Sequence, residues 1–113
     1  MHELSLAEGV LSIIQQQHRN APFGHVKRLQ LEIGQLAGVE IHSLLFSLEA
    51  VFRDTLADGA KVEVMEVEGK AFCFDCNKEV LLPRRGFACP TCCGYQMRVC
   101  SGDNMRVIAL EVE

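Results

Sequence analysis

The sequence predicts an α+β protein: two helices on a small, about three-stranded β-sheet, with a cysteine-clamped module inserted into it. Three observations carry that expectation. Apolar residues recur at helical spacing in two stretches and alternate in three others; four cysteines form two Cys-x-x-Cys pairs late in the chain; and strand-like alternation resumes after the second pair. At 113 residues, the chain suits a compact α/β unit of about eighty residues plus the insertion.

The elements follow in order. From Leu4 to His18, the residues Leu4, Ala7, Val10, Leu11, Ile13 and Ile14 mark an amphipathic helix, with Glu3 and Glu8 toward its positive end. Asn20, Pro22 and Gly24 stop it. Val26, Leu29, Leu31 and Ile33 then give a half-buried strand ending near Gly34 or Gly38. Ile41, Leu44, Leu45, Leu48, Val51 and Phe52 set the buried face of a second helix, and Ala57 to Gly59 release the chain into a strand from about Ala60 to Glu68. After the insertion, Ile108, Leu110 and Val112 alternate with Val107 and Ala109 in a closing strand. Residues 1–68 and 103–113 are therefore expected to form one domain, and 69–102 the inserted module. Its two crossings, near Gly69 and near Ser101-Gly102-Asp103, are expected to act as a hinge or to allow exchange of the module between two chains.

Within the module, Cys73-x-x-Cys76 and Cys89-x-x-Cys92 supply the four sulfurs of a closed tetrahedral zinc site, and the stretch between them leaves room for two strands and a turn. The rival uses of the thiols fit less well. No basic segment followed by an apolar run and a small-residue cleavage site opens the chain, so disulfides are not expected and a cytoplasmic location is. A redox pair would be a single Cys-x-x-Cys beside a strand-helix-strand unit. Cys93 directly follows a ligand and reads as a spare thiol; Cys100 reads as a buried one.

Composition excludes other classes. No apolar run approaches the roughly 18 residues of a membrane span. The net charge of −4 opposes nucleic acid as main partner, despite Arg84, Arg85, Arg98 and Arg106, and the single tyrosine, Tyr95, offers little stacking surface. Four thiolates leave zinc no open position for a hydrolase, and neither a phosphate-binding glycine loop nor a nucleophile and base pair is present, so no enzyme is expected.

The chain opens Met1-His2-Glu3. A retained Met1 amine, the His2 backbone nitrogen and the His2 Nδ1 close five- and six-membered chelate rings, and the Glu3 amide completes the square-planar field that suits Ni(II) or Cu(II) better than Zn(II). The residues alone leave a second reading open: a terminal His that is merely solvated and a Glu3 that favours the helix start. His18, His25 and His42 read as a last-turn, a loop and an early-helix residue. Glu40, just ahead of the second helix, is placed where it could approach the N-terminus.

Taken together, Met1-His2-Glu3-Leu4-Ser5-Leu6, Leu31-Glu32-Ile33-Gly34 with Val39-Glu40, the paired knuckles, and Ser101-Gly102-Asp103 with Glu111-Val112-Glu113 resemble the HypA/HybF family of hydrogenase maturation nickel chaperones over essentially the whole chain. The resemblance implies nickel held at Met1, His2 and Glu3, and zinc at Cys73, Cys76, Cys89 and Cys92. It also implies delivery of Ni(II) to the large subunit of [NiFe] hydrogenase with the GTPase HypB, and in some organisms to urease through its maturation proteins. The expected state is a monomer or a module-swapped dimer, away from membranes and nucleic acid. Cys93 departs from the family pattern, in which that position is often His or another residue.

Overall fold

The computed structural model describes residues 2–113. It contains helix α1 (His2–Asn20), strand β1 (Val26–Gly34), helix α2 (Ile41–Phe52), and strands β2 (Lys61–Val67), β3 (Lys70–Cys73), β4 (Lys78–Leu81), β5 (Met97–Ser101) and β6 (Met105–Val112). The strands form two three-stranded sheets, ordered β2-β1-β6 and β4-β3-β5. None of the described helices is long and apolar enough to cross a membrane. By internal contacts the chain divides into two compact units. One takes the stretch up to Leu31 with Val39–Val64 and Val107–Glu113; the other takes Glu32–Gly38 and Met65–Arg106.

In the first unit, α1 buries Ala7, Val10 and Ile14, spaced to share one stripe. Leu4 and Ile13, expected on that stripe, are 43% and 45% exposed because they fall to either side of it. α2 buries Leu44, Ser47, Leu48 and Phe52, leaving Phe46 74% exposed. Glu40 caps α2: its backbone is extended, and its carboxylate accepts from the Ser43 N–H. β1 is the middle strand of its sheet; Leu29, Leu31 and Ile33 alternate on one buried face, and Val26 is buried at the strand's start. On the face away from Leu29, Leu31 and Ile33, Arg28 reaches Glu63 at 3.8 Å and Glu111 at 3.4 Å, and the Gln30 amide donates to Glu63 at 3.0 Å. These are partly exposed cross-strand contacts that favour the register and add little stability.

The second unit differs from expectation in its strands. Only β4 lies between the two cysteine pairs; β3 runs into the first pair and β5 leaves the second. Pro83 lacks an N–H, and Gly86 takes φ +87°, so the remaining stretch turns instead of pairing. Within this unit, residues 34–36 are hydrogen-bonded to the crossing segments. Leu36 N–H donates to the Gly102 carbonyl at 2.7 Å, Gly34 to Asn104 at 2.9 Å, Gln35 to Val67 at 2.9 Å, and Leu82 to Gly69 at 2.8 Å. The Gln35 side-chain carbonyl accepts from Gly69 N–H at 3.1 Å. A Cβ at Gly34 would meet the Gly102 backbone, and one at Gly102, which sits at φ +77°, would meet the backbone of Glu68. Leu36, Ala71 and Leu82 close a small core beneath, with Met97 and Val99 against it.

Candidate metal centre

Two tight turns aim the cysteines. In the first, Asn77 N–H donates to the Cys73 carbonyl at 2.7 Å; in the second, Cys93 N–H donates to the Cys89 carbonyl at 2.8 Å. Asn77 and Cys93 both take positive φ, +56° and +63°, so they hold equivalent positions that end their turns in the left-handed region. That role accounts for Cys93. Sequence reasoning missed it, although the shared offset of four residues from the first cysteine of each pair was available as a signal.

The Sγ atoms of Cys73, Cys76, Cys89 and Cys92 all lie within 4.8 Å of one another. Cys73 and Cys92 stand 3.7 Å apart, and Cys76 and Cys89 3.9 Å. Four sulfurs placed ~2.3 Å from a tetrahedral centre are about 3.8 Å apart, so the donor set fits zinc, whereas a disulfide needs about 2.05 Å. Cys73 and Cys89 are buried, while Cys93 and Cys100 are exposed; the expectation of a buried Cys100 is therefore corrected. The exposed residues of β5 alternate with those facing the small core, and Cys100 falls on the outer set.

Backbone dipoles point at the sulfurs: Thr91 N–H at Cys89 Sγ and Gly94 N–H at Cys92 Sγ, each 3.4 Å. Hydrogen bonds from the Cys92 and Thr91 backbone bring the Cys89 thiol down to about 6, while burial and then the neighbouring sulfurs push Cys76 up to about 12. So close a set of sulfurs holds four negative charges only around a cation.

At the other end, Met1 lies outside the described residues. His2 begins α1, and the first N–H groups of a helix have no acceptor within it, leaving the His2 and Glu3 amide nitrogens uncommitted to the helix ladder. His2 Nδ1 is 3.5 Å from Glu3 Oε2 on a side chain that is 56% exposed. The same Glu3 oxygen accepts from the Glu40 N–H at 3.2 Å, so the start of α2 latches the start of α1. That bond, then the Glu3 backbone, lowers the Glu3 carboxyl below its ordinary range and keeps it ionised beside His2. The other histidines do not gather here. His18 accepts from Phe23 N–H and packs edge-on against its ring; His25 faces Glu113 at 3.5 Å; His42 lines an apolar groove with Leu4, Phe46 and Ala50.

A family model described as "Hydrogenase/urease nickel incorporation, metallochaperone, hypA" matches residues 1–112. The chain is 46% identical to the hydrogenase maturation factor HypA of Alkalilimnicola ehrlichii and 47% identical to that of Azotobacter chroococcum, over all of both chains in each case. Its fold is similar to the solution structure of the nickel metallochaperone HypA from Helicobacter pylori, with a TM-score of 0.69 and 16% identity over 97% of this chain and 96% of that one.

Proposed function

This chain belongs to the HypA family of nickel metallochaperones for hydrogenase maturation, and on that premise we propose that its own N-terminus carries the nickel. The observation that supports this reading most directly is the Glu40 N–H to Glu3 bond, which holds an ionised carboxylate beside an exposed His2 at a helix start whose amide nitrogens stand outside the helix ladder. Met1, His2 and Glu3 supply the chelate: terminal amine, His2 amide and Nδ1, and the Glu3 nitrogen. Nickel at His2 Nδ1 takes the place of its 3.5 Å contact with Glu3 Oε2. The protein does no covalent chemistry. An exposed nitrogen-rich site lets a receiving protein's thiolates take the metal stepwise, while Cys73, Cys76, Cys89 and Cys92 keep a resident zinc that clamps residues 69–102. Residues 1–68 and 103–113 form the nickel-carrying domain in this reading.

The client is the large subunit of a [NiFe] hydrogenase, with the GTPase HypB as working partner, in the cytoplasm; urease, reached through its maturation proteins, is a further client compatible with the family description. The assembly in this reading is a monomer or a module-swapped dimer, since a swap would remake the same contacts at Gly34, Gly69 and Gly102 between two chains. The test is nickel titration of untagged protein beside its His2→Ala variant. One nickel bound by the parent and none bound tightly by the variant, at equal zinc content and helicity, is expected; equal affinities overturn the terminal site.

A further inference from the structure

Charge is divided unevenly along this chain. Residues 69–102 hold five basic side chains (Lys70, Lys78, Arg84, Arg85, Arg98) against two acidic ones (Asp75, Glu79), whereas the remaining residues hold thirteen acids against six bases. The basic segment also carries much of the exposed apolar surface, with Phe74 59% exposed, Phe87 49% and Tyr95 70%. On the outer face of β3 and β5 these two properties meet. Phe72 stands opposite Arg98 across the pair, and Phe72, Phe74, Arg98, Val99 and Cys100 line a groove of about 360 Å³. β5 is an edge strand of its sheet.

We infer that this groove and the β5 edge form a docking site for an extended acidic segment of a partner protein, one that carries apolar side chains at alternate positions. Each part of the surface meets one part of such a segment. An edge strand accepts an added strand through its main chain. The pocket between Phe72, Phe74 and Val99 takes an apolar side chain, and Arg98, which lines the same groove, meets a carboxylate next to it in the segment. Single-stranded nucleic acid fits less well. The Phe72 and Phe74 rings lie edge to face, 5.3 Å apart at 68°, and so offer no run of parallel platforms for successive bases. Glu79 stands opposite Phe72 on the β4 side, away from β5, so the carboxylates of the docked segment lie on the Arg98 side.

The experiment uses the zinc-loaded full chain and, as probe, a capped octapeptide of alternating Glu and Leu. Amide shifts confined to Phe72–Phe74 and Met97–Ser101, affinity that falls as salt rises, and about tenfold weaker binding in Phe74→Ser and in Arg98→Glu are expected. Both side chains are exposed, so zinc content and melting temperature should stay at parent values in both variants, and nickel binding plays no part in the readout. A Lys-for-Glu peptide should not bind. The inference is overturned by no binding, by binding that both variants leave unchanged, by tighter binding of an oligo-dT strand at the same residues, or by self-association of the parent that Arg98→Glu abolishes.

Discussion

Glu3 and Glu40 show how two side chains join elements far apart in sequence. Glu3 accepts from the Glu40 N–H, and Glu40 in turn accepts from the Ser43 N–H, so the start of α1 is tied to the cap of α2. Both carboxyls lie below their ordinary value of 4.5, for Glu3 mainly because of the Glu40 N–H and for Glu40 mainly because of the Ser43 N–H. A depressed folded-state pKa adds stability that is fully present above the ordinary value and is lost as pH falls through the folded one. Unfolding followed by circular dichroism should therefore show the parent losing stability below about pH 4.5, with Glu3→Gln flatter across that window. Nickel binding should weaken at higher pH than this, because protons compete for His2 and the terminal amine well before they reach the carboxylates. Cys93 makes a second residue-scale case. At φ +63°, Cys93→Gly should keep stoichiometric zinc, and Cys93→Val should destabilise the protein by about 1–3 kcal/mol, because a β-branched side chain suits the left-handed region poorly. Loss of zinc in Cys93→Gly would show the thiol to be a ligand.

Among the elements, the informative ones are the crossings into and out of the module. Gly34 and Gly102 approach so closely that backbone occupies the place of a side chain, and four backbone hydrogen bonds run among residues 34–36, 67–69, 82 and 102–104. Gly34→Ala should cost about 1–3 kcal/mol through forced backbone shifts. Hydrogen exchange should then rise first at Leu36, Leu82 and Val99. Unchanged exchange there would mean that the crossing is looser than its hydrogen bonds imply. The spacing of apolar residues revealed β1 and α2 almost to the residue, because each buries a regular face. It misplaced Leu4 and Ile13, whose spacing places them near a stripe whose edge only packing defines.

For the molecule as a whole, the two candidate metal centres differ in what the chain does around them. The sulfur centre is enclosed by its own turns, with Val80 and Met97 packed against Cys73 and Cys89; the nitrogen centre is exposed at a helix start. A chelator that strips zinc should loosen residues 69–102, raise thiol reactivity at Cys73, Cys76, Cys89 and Cys92 while the already exposed Cys93 and Cys100 react before and after, and leave the helical signal of α1 and α2 nearly intact, since their core of Ala7, Val10, Ile14, Leu44 and Leu48 includes no cysteine. Helicity lost together with zinc would show that the metal supports the whole fold.

The sequence by itself determined the α+β class, the order of the main elements and the pairing of four cysteines, because apolar periodicity and short-range ligand spacing are local properties of the chain. Tertiary structure decided what depends on distant segments. It set the Glu40 N–H on Glu3 thirty-seven residues away, the glycine contacts at the module crossings, the one strand between the knuckles in place of two, and the outward turn of Cys100. Each depends on backbone groups and close approaches that side-chain pattern does not encode, since a peptide N–H reads the same at every position until folding gives it an acceptor.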